Sequence, residues 1–357
     1  MTDFFFNFMY KFTFEKVVFL MLLKKPIFIN LVSFLILQKT ILLKQNLVTI
    51  AFYNVENFYS KSSDESFLPS NFIKWKDNRY DTKVKKIAFC ISKIGKLETN
   101  ELPCLVGLAE VENEEVLQDL IQNDFLKDGD YKTLLYKSLD ERKINVGLIY
   151  RQQFFEVIES EPIRFIFKDQ YDTKSYTRDI LYVKGNLVGE IIHLFIVHLP
   201  SKIDKEINQL KRQHIFKTIR KRINDLLTEN YSAKIVVMGD FNDAPTNSDL
   251  IDELDTRSKQ EEINRNELFN PMVSLQSYKR GSMIFKKQWM LFDQQIFSKG
   301  FFTSHTNLEY IKTDIFDADF LKNTGGKSTG SPFRTFLGRK YFGGYSDHFP
   351  VYTILKY

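Results

Sequence analysis

Six short apolar runs in this sequence each stop at acids, amides or histidines. They are AFYNVEN with Asn54 and Glu56, LAEVEN with Glu110, IVHLPSK with His198, VVMGDFND with Asp240 and Asn242, WMLFDQQIF with Asp293, and GGYSDHFPV with Asp347 and His348. One strand end carrying polar groups is usually only a solvated loop. Six together point to a single polar constellation, made of hard oxygen donors and histidines with almost no sulfur. That donor set suits Mg²⁺ or Mn²⁺ better than a structural zinc. It is also the equipment for hydrolysis at phosphorus. A divalent ion neutralises phosphate oxygens, a carboxylate orients the attacking water, and histidines stabilise or protonate the crowded anion.

The elements that must position these residues alternate between strand and helix. LVTIAFY is β-branched and aromatic, and Val84, Ile87, Ala88 and Ile91 repeat at helical spacing within Thr82 to Ile94. CLVGLAEV predicts a buried strand, followed by a helix over Val116 to Gln122. Further strands are expected at Tyr131 to Tyr136, Ile144 to Tyr150, Phe154 to Glu159, Ile180 to Val183 and Leu187 to His198. A charged helix over about Glu206 to Leu227 leads into the strand KIVVMGD, and short strands follow at Met283 to Phe285, Phe292 to Phe297 and Phe349 to Leu355. No Pro/Ser-rich linker or repeat interrupts the series, so one domain with sheets packed inside helical layers is expected.

FYNVENFY, WKDNRYDTKVKKIA, GLAEVENEEVL, SLDERKINVGLIYR, HLPSK, MGDFNDAP and GGYSDHFPV together resemble the endonuclease/exonuclease/phosphatase superfamily, whose fold is DNase I-like. The resemblance runs from about Leu47 to Tyr357 in the family's own motif order. It implies an α/β (α+β) fold, a four-layered α/β/β/α sandwich of two packed mixed sheets, and a metal-dependent phosphoesterase. It also implies roles. Asn54 would face the phosphate or the attacking water, Glu56 would lie near the metal, and Glu110 would be the principal metal-binding glutamate. Asp240 would orient or deprotonate the water, with Asn242 holding phosphoryl oxygens. Asp347 would be a metal-side carboxylate, His348 would contact the scissile phosphate, and Asp293 would hydrogen-bond that histidine and keep it oriented and protonated. His198 matches the histidine that acts on the leaving group in the DNase-like branch, and Arg178 the arginine used against substrate phosphate.

The chain departs from the family in two places. The histidine matching His198 normally has an acidic partner on the strand Ile144 to Tyr150, where this chain has Asn145, either a substrate-side residue or a satisfied polar group at a strand end. HLPSK has leucine where relatives carry tryptophan. Outside the motifs, His193, His214 and His305 read as surface or core histidines. The helix bearing Lys211, Arg212, Lys217, Arg220, Lys221 and Arg222 reads as an outer amphipathic helix, with Ile207, Leu210, Ile215, Ile219 and Ile223 as its apolar stripe. Glu112, Glu114 and Glu115 read as a helix start. GGKST at Gly325 to Thr329, in a Gly/Ser-rich loop, fails as a phosphate loop because its first glycine would be Leu321.

The chain has 357 residues, 43% apolar and 27% charged, with 15 Gly, 9 Pro and 2 Cys, which excludes collagen-like, disulfide-rich and all-membrane classes. Its net charge of +5 hints at a polyanion. Residues 1–46, however, hold six Lys against Asp3 and Glu15, so residues 47–357 carry 44 basic and 43 acidic side chains, a net of +1. That near neutrality weakens a nucleic-acid reading, because polyanion binding relies on clustered Lys and Arg. Nine of the 34 Phe also fall in residues 1–46, which separates this apolar leader from the domain at 47–357. Its runs, Val17 to Leu23 and Ile27 to Leu37, fall short of the ~18–20 apolar residues of a spanning helix. MLLKKPIFINLVSFLIL has the form of an export signal, but QKTILLKQN offers no small-residue cleavage site. Two readings stay open: an unusual export signal or anchor, and a non-native extension or cytoplasmic leader.

The expected partner is nucleic acid or another phosphodiester, with a lipid or small phosphorylated molecule as the alternative and a non-catalytic protein on this fold as a third reading. No obligate protein partner is evident and a monomer is expected. Membrane contact would run only through residues 1–46.

Overall fold

The computed structural model describes residues 46–357 apart from 65–67, 70–71, 73–74, 169–173, 203–204, 278–279, 286 and 304–306. Residues 1–45 of the expected leader, and His305, lie outside the described residues. Thirteen strands build the two large sheets: β1 Leu47–Phe58, β2 Leu105–Val111, β3 Tyr131–Leu135, β4 Asn145–Arg151, β5 Phe155–Ile163, β6 Ile180–Leu187, β7 Glu190–His198, β8 Lys234–Asp240, β9 Thr256–Arg257, β10 Leu268–Phe269, β11 Asp293–Ser298, β12 Glu309–Ile315 and β13 Val351–Lys356. One sheet has the order β12-β13-β1-β2-β4-β3 and the other β9-β10-β11-β8-β7-β6-β5.

Each sheet is mixed, and each has a central parallel pair, β1 with β2 and β7 with β8. Strands β2 (LVGLAEV) and β8 (KIVVMGD) are buried nearly end to end, as strands covered on both faces must be. The sheets pack through these strands. A Cβ added at Gly107 of β2 would stand 3.0 Å from Met238 Sδ and 3.3 Å from Ile196 Cγ2 of the opposite sheet, so glycine permits the close approach. Gln295 of β11 crosses the same interface, donating to Ile50 O at 3.5 Å and accepting from Thr353 Oγ1.

Helices close the outer faces. On the first sheet lie α1 (Tyr80–Ile91) and α2 (Glu114–Ile121), where Leu117 Cδ1 comes within 3.1 Å of a Cβ built at Gly147. On the second lie α3 (Lys205–Glu229) and α4 (Ser248–Leu254), whose Ile215, Phe216, Ile219, Ile223, Leu227, Leu250 and Leu254 join one buried cluster. The α/β/β/α order expected from the sequence is therefore the observed one, and Val48–Tyr357 is one compact unit.

The apolar stripe of α3 starts later than expected. Ile207 and Leu210 are 63% and 67% exposed, because the helix's opening turns are held by a polar contact: buried Arg212 donates to Pro200 O at 3.0 Å and lies 3.5 Å from Asp243. Strand β12 was not expected from the sequence. EYIKTDI alternates charged and apolar residues as an edge strand does, and its charges mask the signal.

Candidate active site

The parallel pairs end on the same side of the molecule as the site residues they carry. β1 and β2 deliver Asn54, Glu56 and Glu110, and β7 and β8 deliver His198 and Asp240 as register partners. Asp293 opens β11 directly opposite Asp240. At these ends the ladders break: the register shifts between Asn54 and Phe58 and between Ala109 and Val111. Glu56, Asn57, Glu110 and Asn242 take positive φ of 53°, 47°, 65° and 49°. Such backbone costs ~1–3 kcal/mol per residue and re-aims the side chain out of the strand's alternation. Four instances around one centre mark it as a site.

Asp240 is the hub. Its Oδ2 accepts from Asn54 Nδ2 at 3.0 Å and its Oδ1 from the Asn242 amide at 2.8 Å. Two histidines face it, His198 Nε2 at 3.7 Å and His348 Nε2 at 3.9 Å from Oδ2. His348 Nδ1 donates to Asp293 Oδ2 at 2.6 Å, and Ser282 Oγ donates to the same carboxylate oxygen. His198 Nδ1 is buried without a hydrogen-bond partner.

Burial and neighbouring charge set the protonation states. Burial, then the nearby Asp293, pushes Asp240 up to about 6 against the pull of His348. Burial opposes a charge on His348, but Asp293, Asp347 and Asp240 prevail and hold it well above the ordinary histidine range. Burial, reinforced by Arg178 and Arg142, holds His198 well below that range. Glu56 is raised to about 7 by burial and Asp347, with Lys83 and Arg334 pulling the other way.

A cavity of about 290 Å³ opens over this centre, lined by Glu110, His198, Asp240, Asn242 and His348 with Arg142 and Lys211. A divalent cation has two carboxylate oxygens to consider, one from Glu110 in this cavity and one from Asp347, next to His348 in the chain. Glu110 Oε2 accepts from the Asn57 amide at 2.7 Å, which leaves Oε1, 3.9 Å from His198 Nε2. Asp347 Oδ2 pairs with Arg334 Nη2 at 2.7 Å, which leaves Oδ1, 3.9 Å from His348 Nε2. Hard carboxylate oxygens of this kind fit Mg²⁺, which keeps most of its waters and uses one or two carboxylates. Asp240, Asp293 and His348 also bring ligand atoms within 4.8 Å of one another. There the 2.6 Å bond spends the histidine on Asp293, so that trio is an oriented histidine rather than a cage.

The sequence profile of the Endonuclease/Exonuclease/phosphatase family matches residues 49–357. The chain belongs to that family. Solved structures share its fold. A Bacteroides thetaiotaomicron endonuclease/exonuclease/phosphatase family protein aligns with a TM-score of 0.52 at 15% identity, covering 87% of this chain and 97% of its own. Danio rerio TDP2 complexed with a single-strand DNA product gives 0.51 at 15%, covering 87% and 99%. Bacteroides thetaiotaomicron mannosyl-6-phosphatase Bt3783 gives 0.51 at 14%, covering 87% and 100%. Among curated proteins no sequence matches the chain.

Of the residues the family pattern singles out, Asn54, Glu110, His198, Asp240, Asn242, Asp293, Asp347 and His348 converge. Glu56 is present but turned toward its own support: it accepts from the Thr335 amide at 2.6 Å, the Phe336 amide at 3.3 Å and Arg334 Nε at 3.4 Å. Asn242 Nδ2 donates to Leu199 O at 2.9 Å, fixing the loop after β7. Arg178 lines the cavity, but its donors serve the protein, reaching His198 O at 3.2 Å, Leu199 O at 2.7 Å and Asp140 Oδ2 at 3.2 Å. It braces the end of β7.

Asn145 does not join the centre. Its Oδ1 accepts from Ser138 N at 2.7 Å and Ser138 Oγ at 2.8 Å, and its Nδ2 donates to Glu112 O at 2.7 Å. It is a satisfied strand-end residue, the second of the two readings its position allows. Glu112 corrects another expectation: it accepts from the Ser60 amide at 2.6 Å and from Ser63 Oγ, so it staples a loop, while Glu114 and Glu115 do open α2. His193 pairs with Tyr182 OH at 2.8 Å and His214 packs on Phe165 and Phe167, both away from the chemistry.

Sequence reasoning missed three further cations at the site. Arg142, in the SLDERKINVGLIYR motif, stands 3.4 Å from Glu110. Arg334 bridges Glu56 and Asp347 from a loop. Lys83 is buried beneath it, donating to Thr335 Oγ1 at 2.6 Å, with burial lowering its ammonium to about 8. Both Lys83 and Arg142 lie inside recognised motifs, the one signal that could have found them.

Proposed function

We propose that this chain is a divalent-metal-dependent phosphodiesterase acting on nucleic acid. The observation that carries the reading is Asp240, fixed by Asn54 and the Asn242 amide and faced by one histidine held charged and one held neutral. A carboxylate near pKa 6 accepts a proton from water at neutral pH without being inert as a base. His348, charged and pinned by Asp293, donates to a phosphoryl oxygen. His198 stays neutral and presents its Nε2 to the same space, while Arg142 and Lys211 supply positive charge at the cavity wall. Glu110 and Asp347 would hold the Mg²⁺ or Mn²⁺, which when bound neutralises phosphate oxygens.

Nucleic acid is favoured because the cationic wall lies at the centre even though residues 47–357 are nearly neutral overall, and because the similar TDP2 structure holds a single-strand DNA product. A small phosphorylated molecule is the second reading, favoured by that near neutrality and by the similarity to a mannosyl-6-phosphatase. The test is hydrolysis by the purified full chain of single-stranded DNA, RNA, sphingomyelin and mannose 6-phosphate, in Mg²⁺ or Mn²⁺ and with EDTA. The expected result is metal-dependent cleavage of a nucleic acid, abolished by EDTA. Hydrolysis of mannose 6-phosphate alone would replace this reading with the second, and metal-independent cleavage would remove the metal from it.

A further inference from the structure

The centre is flanked by two cavities, not one. Neighbouring residues line different ones: His348 and Met283 face the 290 Å³ cavity, whereas Asp347 and Ile284 face a second cavity of about 610 Å³. The candidate phosphate contact His348 and the candidate metal carboxylate Asp347 thus face different cavities from adjacent positions in the chain. The first cavity is rich in cations and amides. The second has a different wall, in which Ile284, Leu337 and Phe342 are 36%, 57% and 41% exposed. Its cation at the inner end, Arg334, is already paired with Asp347 and Glu56, leaving Lys287 as the charge on its lining.

The wall is tied to the chemistry. Leu337 sits on a two-stranded hairpin, Phe336–Leu337 with Lys340–Tyr341, that begins at the Thr335 and Phe336 amides held by Glu56. Phe336 anchors the hairpin inward, its ring 4.5 Å from that of Phe72, and strand alternation turns Leu337 the other way. Arg79 stacks over Tyr341 at 4.4 Å and fixes the second strand. Leu337 on so well-anchored a hairpin, with Phe342 directly after its second strand, gives the cavity a preformed apolar wall, and its volume and mixed lining are those of small-molecule subsites.

We propose that this second cavity is the subsite for an uncharged planar ring on the substrate, the chemistry a nucleobase offers. The inference rests on the phosphoesterase reading and deepens it: the phosphoryl group lies at His348, and the ring reaches past Asp347 to pack against Leu337 and Phe342. A polyanionic stretch would find little on this side, since Arg334 is already paired with Glu56 and Asp347 and only Lys287 adds positive charge to the lining.

The test is calorimetric binding to the full chain in Mg²⁺ of methyl phosphate, phenyl phosphate, thymidine 5′-monophosphate and mannose 6-phosphate, with Leu337→Asp and Phe342→Ala as variants. Thymidine 5′-monophosphate should bind about tenfold tighter than methyl phosphate, the size of one stacking contact. Both variants should erase that gap and leave methyl phosphate binding unchanged. Phenyl phosphate as tight as the nucleotide supports the subsite with a simple aryl ring as its occupant, and weaker phenyl phosphate supports it with a nucleobase. Equal binding of methyl phosphate and thymidine 5′-monophosphate, or tightest binding of mannose 6-phosphate, overturns the ring subsite alone. Failure of methyl phosphate itself to bind overturns the phosphoesterase reading beneath it.

Discussion

His198 and His348 both face Asp240, equally buried and at nearly equal distances, 3.7 and 3.9 Å from its Oδ2. Burial alone would make both neutral. They differ because Asp293 stands behind His348 at 2.6 Å, whereas the Nδ1 of His198 meets no partner and its surroundings hold Arg178 and Arg142. The group behind the ring decides its charge. One aspartate thus converts two similar imidazoles into a cation and a neutral donor, and a site for anionic chemistry gains an asymmetry that its two flanking cavities share.

The largest effect should come from removing what the two histidines share. Asp240→Asn keeps the side chain's shape but only one of its two accepting oxygens, and it cannot take a proton, so kcat should fall about 10³-fold, in the range of general-base losses. In the unaltered protein, kcat/KM should fall as pH drops through about 6, where Asp240 titrates. A variant retaining that acid limb would assign it elsewhere.

Asp293→Asn should come next, with about 10²-fold lost activity, because it makes His348 resemble His198. Its stability signature is directional. The pKa of His348 is raised on folding, so its contribution is fully present below the unfolded value of about 6.5 and is lost as pH rises through the folded value. The melting-temperature gap between protein and variant should therefore be widest near pH 6 and shrink in alkali. A gap independent of pH would mean that His348 is not charged in the folded state.

His198→Asn should have a smaller effect, about tenfold on kcat, since a neutral donor is replaced by another. Here the sign reverses. The depressed pKa of His198 lets the unfolded chain take up a proton first as pH falls below about 6.5, so the native protein loses stability toward acid. The variant should lose less between pH 6.5 and 5. Identical acid sensitivity would show that the two histidines are less different than their surroundings imply.

How far the site could be read in advance follows the same divide between a residue and what stands behind it. Strand ends such as KIVVMGD announce themselves by uninterrupted apolar runs, so Asp240, Asn242 and Asp293 were legible, and the motif order carried Asn54, Glu110, Asp347 and His348. Their supports were not. Glu56 meets the Arg334 to Phe336 segment across about 280 residues of chain, and Ser282 reaches Asp293 from a hairpin, so no spacing rule links them. Polar strand-end residues are ambiguous for the same reason: Arg178 and Asn145 have the right type and place, yet their hydrogen bonds go to neighbouring backbone and to the Asp140 and Ser138 side chains. β12 was hidden because an edge strand needs charge on its open face.

Asn145 gives the subtlest test of the comparison, because it occupies the strand where relatives carry an acid for the histidine matching His198. If the missing acid alone kept His198 neutral, Asn145→Asp should charge it. The hydrogen bonds argue otherwise. Asn145 uses its amide as a donor to Glu112 O and its carbonyl as an acceptor from Ser138, and no described hydrogen bond links it to His198. An aspartate there would set a carboxylate oxygen against a carbonyl at the end of β2, two residues beyond Glu110. The expected outcome is a loss of about 1–3 kcal/mol in chemical denaturation, the cost of an unsatisfied buried polar group. The pH profile of kcat/KM should keep its shape. A new limb above pH 6.5 would instead show that His198 had gained an acidic partner, and that one substitution on β4 makes the two histidines alike.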